Sequence, residues 1–425
     1  MPPIRFIHAA DLHLDAAFSG LSRDVPADLA ERLRAATFTA LRRLLDLCER
    51  ERPDFLLLAG DVYNQEDASV SAQLALRDGF TRLEALGIPV FLVHGNHDPL
   101  PSRLRAVRWP ANVTVFGEQA SAAPVFRAGE AAPCAVVHGI SHASARETRD
   151  LAALFRRTEE PCPHVGLLHA APGDADGEAR YAPFSQEDLT AAGMDYWALG
   201  HIHDRREVRR EPLAAYPGCT QGLHVNEPGE KGCLLVTAGP DEGGGYAIST
   251  AFRPLGPAVW RTLDVALDGV SALDGLETRL RAALDRAAAE VWSGCEMLLI
   301  RLRVQGRTEL DGLLRRGTVC AELVERLRED GDGVPRLWIK DMDVRTRPCV
   351  DRDALLERED LIGEVFRLAE AARTEPGLAA LRSGPLAPLF GHARAGKALE
   401  PLTDDELARL LDDAESLCLD LLEND

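Results

Sequence analysis

Asp54-Phe55-Leu56-Leu57-Leu58-Ala59-Gly60-Asp61 is an unbroken apolar run that closes on a glycine and a carboxylate. Nothing in Phe55–Ala59 alternates with polar residues, so the stretch reads as a strand covered on both faces. Upstream, Leu29, Leu33, Ala36, Leu41, Leu44 and Cys48 fall on one side of a helix over 28–48, which Pro53 closes. A second short strand, Ile4–His8, precedes that helix. Downstream come a helix over 70–86, a strand over Ile88–Val93, and later strands at Cys134–Val137, Val165–Leu168 and Tyr196–Leu199. Buried strands alternating with helices predict an α/β layered fold, a β-sandwich flanked by helices.

Polar clusters recur just past these strands. They are Asp11 and His13, Asp61, then Asn96 and His97, then His169, then His201 and His203. Loops beyond the carboxyl ends of strands are where such folds carry chemistry. If Asp11-Leu12-His13 is extended, residues i and i+2 point the same way and both reach one metal ion. His201-Ile202-His203 repeats the device. A carboxylate such as Asp61 has two oxygens and can bridge two cations, and Asn96 can add a neutral oxygen.

Two sites are therefore expected, one of Asp11, His13, Asp61 and His203, the other of Asp61, Asn96, His169 and His201. Mixed nitrogen and oxygen donors without thiolate favour two manganese- or iron-like ions, manganese first, over structural zinc. Two such ions clamp a phosphodiester and acidify a water. His97 is left over as the candidate general acid, and Asp98 is expected to hold its ring in one tautomer. Asp-x-His alone means little. The ordered set at successive strand ends is specific.

With these blocks in place, the sequence resembles the calcineurin-like metallophosphoesterase superfamily. Phe6-Ile7-His8-Ala9-Ala10-Asp11-Leu12-His13-Leu14-Asp15, Asp195-Tyr196-Trp197-Ala198-Leu199-Gly200-His201-Ile202-His203 and Tyr216-Pro217-Gly218 resemble its DNA repair exonuclease branch, which includes the bacterial SbcD and YhaO proteins. The similarity covers roughly residues 4–237 and is nearest to the YhaO type. It implies a manganese nuclease core, a capping domain, DNA as substrate, and an SMC-like coiled-coil ATPase partner of the SbcC/YhaN kind. A homodimer is also consistent with it. The sequence departs from the pattern at Asn64, where relatives often carry histidine, and at Cys219, where serine or asparagine is usual.

The chain has 425 residues, 46% hydrophobic and 27% charged, which suits a folded multi-domain protein. A Gly/Pro-rich stretch near 239–257 divides a core of 1–250 from a cap of 255–347. The cap reads strand 259–266, helix 273–291, strand 297–304, helix 309–329 and strand 336–344. The remainder, 350–425, reads as an acidic helical tail holding 18 acidic against 8 basic residues, half of the net charge of −20. Thr403-Asp404-Asp405-Glu406 is a capping box. It opens a helix with Leu407, Leu410, Leu411, Ala414, Leu417 and Leu421 on one face. That stripe suits either internal packing or docking of a partner's coiled coil.

Nine cysteines lack Cys-x-x-Cys spacing, so buried free thiols in a reducing cytoplasm are expected. No apolar run is long enough for a bilayer, and Met1-Pro2-Pro3-Ile4-Arg5 has no signal-peptide shape. His8, His94, His138, His142 and His164 read as structural, and Trp197 and Trp292 as core. Arg103, Arg105 and Arg108, and His224 in the Tyr-Pro-Gly region, are the expected substrate contacts. Arg205, Arg206, Arg209 and Arg210 fit a phosphate track and a solvated face equally. A small-molecule phosphodiesterase or phosphatase with the same metals is the alternative, and a non-catalytic metal scaffold the third reading.

Overall fold

The computed structural model describes residues 2–21, 25–64, 69–100, 107–173, 181–329, 333, 335–349, 351–390 and 402–423. Arg103 and Arg105 lie outside them.

The strands in chain order are β1 Ile4–Ala9, β2 Phe55–Ala59, β3 Val90–Val93, β4 Val113–Val115, β5 Ser121–Val125, β6 Ala135–Ile140, β7 His164–His169, β8 Tyr196–Gly200, β9 Arg206–Arg210, β10 Leu213–Tyr216, β11 Gly232–Pro240, β12 Tyr246–Pro254, β13 Ala258–Ala266, β14 Met297–Arg307 and β15 Arg336–Arg347. One sheet runs β12-β11-β1-β2-β3-β4, a second β5-β6-β7-β8-β10-β9, and a third β13-β14-β15. The first sheet is parallel from β1 through β4, with β11 antiparallel on the other side of β1. The second is parallel over β6, β7, β8 and β10.

The apolar strands bury both faces, as their composition requires. Ile7, Leu56, Leu58, Val90 and Leu92 face the helices Ala36–Glu51 and Val70–Ala85. Their alternates Phe6, Phe55, Leu57, Phe91 and Val93 turn inward and meet Val137, Val165, Leu167, Tyr196 and Ala198 of the second sheet. Phe6 and Phe55 stack there with ring centroids 4.7 Å apart. The far face of the second sheet packs Leu168, Trp197 and Leu199 against Leu189 of the helix Gln186–Ala191. The result is two sheets back to back between helical layers, a mixed α/β fold.

The expected helix over 28–48 is two helices, Ala27–Arg34 and Ala36–Glu51. The break at Ala35 lets each half bury a different face. Leu29 and Leu33 join Val225, Ala258 and Trp260, while Ala40, Leu41 and Leu44 join the main core. Likewise 309–329 is two helices, Asp311–Leu314 and Gly317–Arg328.

The backbone divides into two compact units. One comprises Met1–Leu263, Arg281–Leu302 and Ala321–Asp343; the other comprises Asp264–Leu280, Arg303–Cys320 and Val344–Asp425. In the second unit, the capping box forms: Thr403 Oγ1 accepts the Glu406 N–H at 3.3 Å and Glu406 Oε2 accepts the Thr403 N–H at 2.7 Å. The helix it opens, Asp404–Glu423, buries Leu407, Glu415 and Leu419. The leucine stripe is therefore divided: Leu407 packs inward, whereas Leu410, Leu417 and Leu421 are exposed. The inward Glu415 carboxylate is satisfied by Arg352 and Arg373, each at 2.9 Å. Among the described residues no helix is long and apolar enough to cross a membrane. All nine cysteines are free and seven are buried.

Candidate metal centre

The strand ends converge on one cleft. Asp11 follows β1, Asp61 follows β2, Asn96 follows β3, His169 ends β7 and His201 follows β8. The backbone there is unusual. Asp11, His13, Asp61 and His201 all have positive φ, at 51°, 41°, 49° and 104°. Non-glycine residues rarely adopt this region, and they cluster at functional sites when they do. Asp11 and His13 therefore do not converge through an extended i, i+2 geometry, as the sequence suggested. Left-handed turns aim them, pinned by Asp11 N–H to Gly60 O and His13 N–H to Asp61 O, both at 3.1 Å.

All seven expected ligands come together. His13 Nε2 and His203 Nε2 face each other at 3.1 Å. Asn96 Oδ1 lies 3.0 Å from His169 Nε2 and 3.2 Å from His201 Nδ1. Both oxygens of Asp11 accept the His201 N–H, at 3.0 and 3.1 Å. Asp61 Oδ2 lies 3.3 Å from His169 Nε2 and 4.0 Å from His13 Nε2, so it looks into both halves of the cleft. Donor atoms of Asp11, His13 and His203, and again of Asp11, Asp61 and His169, lie close enough together to share an ion.

The electrostatics fit a cation. Asp11 and Asp61 are fully buried, and among the described residues neither has a Lys or Arg within ion-pair distance. A buried carboxylate without a countercharge is costly. Burial pushes the Asp11 carboxyl up. Burial also pushes Asp61 up, but the charge and hydrogen bond of His169, with His13 and His97, outweigh it and hold it well below the carboxylate range. Burial alone would lower His169, yet Asp61 and Asp11 draw a proton onto it and raise it to about 9. The donor set, its burial and two carboxylates matched only by imidazoles all suit a pair of divalent ions.

Close packing locks the cleft. A Cβ on Gly95 would overlap the Asp61 carboxylate and the His169 ring, and one on Gly60, at φ 88°, would overlap His169. Only glycine fits at either position.

The other expected residues divide. His97 is exposed at the rim, its N–H bonded to Asp61 Oδ1 at 2.9 Å and its ring 5.1 Å from that of His13. Asp98 does not hold the His97 ring. Its buried carboxylate accepts the N–H groups of Gly95 at 2.7 Å and Val62 at 3.0 Å, tying two site loops together. Buried backbone donors take both oxygens of Asp98 in preference to an exposed imidazole at the rim. His224 is half-buried and its Nδ1 accepts the Asn226 N–H at 3.1 Å. Arg108 is exposed. His8 is spoken for by Tyr196 Oη at 3.0 Å and Leu199 O at 3.1 Å, and His142 holds the carbonyl of His169 at 2.7 Å.

Two neighbours were not singled out as site residues in the sequence. Asn64 Oδ1 lies 2.7 Å from His13 Nδ1, and Glu227 Oε1 lies 2.6 Å from His203 Nδ1. Asn64 stands three residues after Asp61, a usable signal; Glu227, 24 residues beyond His203, has none in the local pattern.

The family model for calcineurin-like phosphoesterases matches residues 4–205, and that for the middle domain of metallophosphoesterase YhaO matches 260–347. The metallophosphoesterase YhaO of Bacillus subtilis is 35% identical over 76% of this chain and 74% of its own length. The DNA double-strand break repair protein Mre11 of Aeropyrum pernix is 27% identical over 69% of this chain and 71% of its own. With this similarity spanning three quarters of its length, and strand ends that gather carboxylates and imidazoles into one buried cleft, the chain belongs to the calcineurin-like metallophosphoesterases.

Proposed function

We propose that this metallophosphoesterase hydrolyses phosphodiester bonds in DNA with two manganese ions, as an exonuclease in DNA repair. The observation that carries the reading is the position of Asp61 Oδ2 between the His13 and His169 imidazoles, with His97 exposed beside it. Asp11, His13, Asp61 and His203 would hold one ion and Asp61, Asn96, His169 and His201 the other. When bound, the ions neutralise phosphoryl oxygens and lower the pKa of a water. The chain's own residues do the rest. Asp61, Asp11 and the left-handed turns fix the donors before substrate arrives. His97, free to reach outward, donates a ring N–H proton to the leaving oxygen.

DNA rather than a small ester is favoured by the surface next to β8. Arg205 lies 4.0 Å over the Phe252 ring and Arg206 5.4 Å over that of Tyr216, lining with Thr250 an open cavity of about 480 Å³. Among the described residues no carboxylate pairs with either guanidinium, so both are available to phosphate. Relatives that bear the name of a DNA double-strand break repair protein point the same way. The exposed Leu410, Leu417 and Leu421 offer an apolar ridge for a coiled-coil ATPase of the SMC type. A reducing cytoplasm suits the free thiols.

The test is manganese-dependent cleavage of end-labelled linear DNA beside bis-para-nitrophenyl phosphate, with Asp61→Ala and His97→Ala as controls. DNA shortened from an end, and spared by both variants, is the expected result. Dye release with intact DNA, unchanged on adding a coiled-coil ATPase of the SMC type from the same organism, overturns the nuclease reading in favour of a small-molecule phosphodiesterase.

A further inference from the structure

The two imidazoles of the Asp11–His13–His203 cluster are each held from behind, but by different chemistry. His13 Nδ1 meets the neutral amide oxygen of Asn64 at 2.7 Å, and His203 Nδ1 meets the carboxylate of Glu227 at 2.6 Å. An oxygen at Nδ1 selects the tautomer with the proton on Nδ1, which leaves the Nε2 lone pair for a cation. Both Nε2 atoms then point at each other across 3.1 Å, an arrangement that is stable only with a proton or a cation between them.

The imidazoles of the other half of the cleft are held through their Nδ1 atoms by neutral oxygens. His169 Nδ1 is held by the neutral carbonyl of Ala59 at 2.9 Å, and His201 presents its Nδ1 to Asn96. Among the described residues, Glu227 has no Lys or Arg within ion-pair distance. Its second oxygen accepts the N–H of Leu223 at 2.6 Å and of His224 at 3.3 Å. Both oxygens are thus engaged, and the carboxylate is fixed behind His203.

We propose that Glu227 is a positioning residue that orients His203 and lends its charge to the Asp11–His13–His203 site. The inference rests on the two-ion reading above and adds a residue outside the donor set on which one of the two ions depends. Removing a carboxylate behind a ligand imidazole typically weakens metal affinity about 10–100-fold.

The test is titration of the full-length metal-free protein with Mn2+, followed by calorimetry and by the electron paramagnetic resonance signal of free Mn2+, with no substrate present. Wild type is expected to take two ions in distinguishable steps. Glu227→Ala should weaken one of the two steps about 10–100-fold and leave the other in place. Glu227→Gln keeps an acceptor for the Nδ1 proton without the charge, so it should fall between the two, and it guards against a misfolded alanine variant. A role confined to loop folding would lower the melting temperature without splitting the two affinities, and that result overturns the inference. So does unchanged binding in both variants, while leaving the two-ion reading intact. A wild type that takes up no Mn2+ overturns that reading and this inference together.

Discussion

Asp61 Oδ2 lies 3.3 Å from Nε2 of His169, with both side chains shielded from solvent. The same oxygen is 4.0 Å from His13 Nε2. One side chain is thus common to both halves of the cleft, and its loss should be felt by both. Asp61→Asn keeps the shape but removes the charge. It should reduce hydrolysis of any substrate to background and lower Mn2+ stoichiometry from two to one or none. A variant that retains two ions with undiminished affinity would remove Asp61 from the bridging position.

His97 should behave differently. It touches the cleft through its backbone N–H and ring edge and is exposed at the rim. His97→Ala should therefore bind Mn2+ like wild type while kcat drops about 10²–10⁴-fold, the usual range for a lost general acid. The loss should shrink on esters with good leaving groups, which need no proton. An equal loss on para-nitrophenyl and on alkyl or DNA leaving groups would rule out the acid role.

The steric lock gives a separate prediction. Gly95→Ala puts a methyl into the space of Asp61 and His169, whereas nothing lies within 4 Å of a Cβ at Gly117. Gly95→Ala should lose Mn2+ uptake and activity while keeping its far-ultraviolet circular dichroism. Gly117→Ala should match wild type in all three. Full activity in Gly95→Ala would mean that the cleft relaxes easily and is not preorganised.

If Arg205 and Arg206 grip DNA phosphates, the double Arg205→Ala/Arg206→Ala variant should lose DNA cleavage at moderate salt and keep bis-para-nitrophenyl phosphate turnover. Each lost phosphate contact should flatten the salt dependence of DNA binding by about one in log–log slope. An unchanged slope would return these arginines to a solvated face, where they stack on Phe252 and Tyr216 without touching substrate.

Several of these features were visible in the sequence because they are local. Phe55–Ala59 is apolar at every position, and a strand with no polar face must be covered on both sides. The loops that carry the candidate ligands could be found because each follows such a strand. The break at Ala35 could not, since no glycine or proline marks it and it is forced by two separate clusters, around Trp260 and around Leu44. The turn geometry of Asp11 and His13 was hidden because positive φ at these residues is imposed by bonds to Gly60 and Asp61, about 50 residues away in sequence. The leucine stripe left internal packing and docking open in the sequence because the pairing that turns Glu415 inward, with Arg352 and Arg373, is made to distant residues; it leaves Leu417 outside.

The buried pair His138 and His164 makes stability depend on pH. His138 Nε2 lies 2.8 Å from His164 Nδ1, and His164 Nε2 lies 3.0 Å from Glu160 O. The carbonyl requires a proton on His164 Nε2, so His164 Nδ1 accepts from His138. A second proton would set two N–H groups against each other. Burial, and then the neighbouring His164, lower His138 to about 4 from the ordinary 6.5. Above pH 6.5 neither the folded nor the unfolded chain is protonated there, and the pair contributes no slope. Between 6.5 and 4 the unfolded chain binds a proton that the folded chain refuses, so stability falls as pH falls. From pH 7 to pH 5 the loss is about 2 kcal/mol for one such imidazole. His138→Gln keeps an N–H donor for His164 but does not titrate. Urea unfolding at the two pH values should show the loss reduced by about that amount in His138→Gln, with His8 still contributing in the same direction, since burial holds its pKa down to about 3. An identical pH slope in the variant and the wild type would show that His138 is already protonated, or already free, in the folded protein.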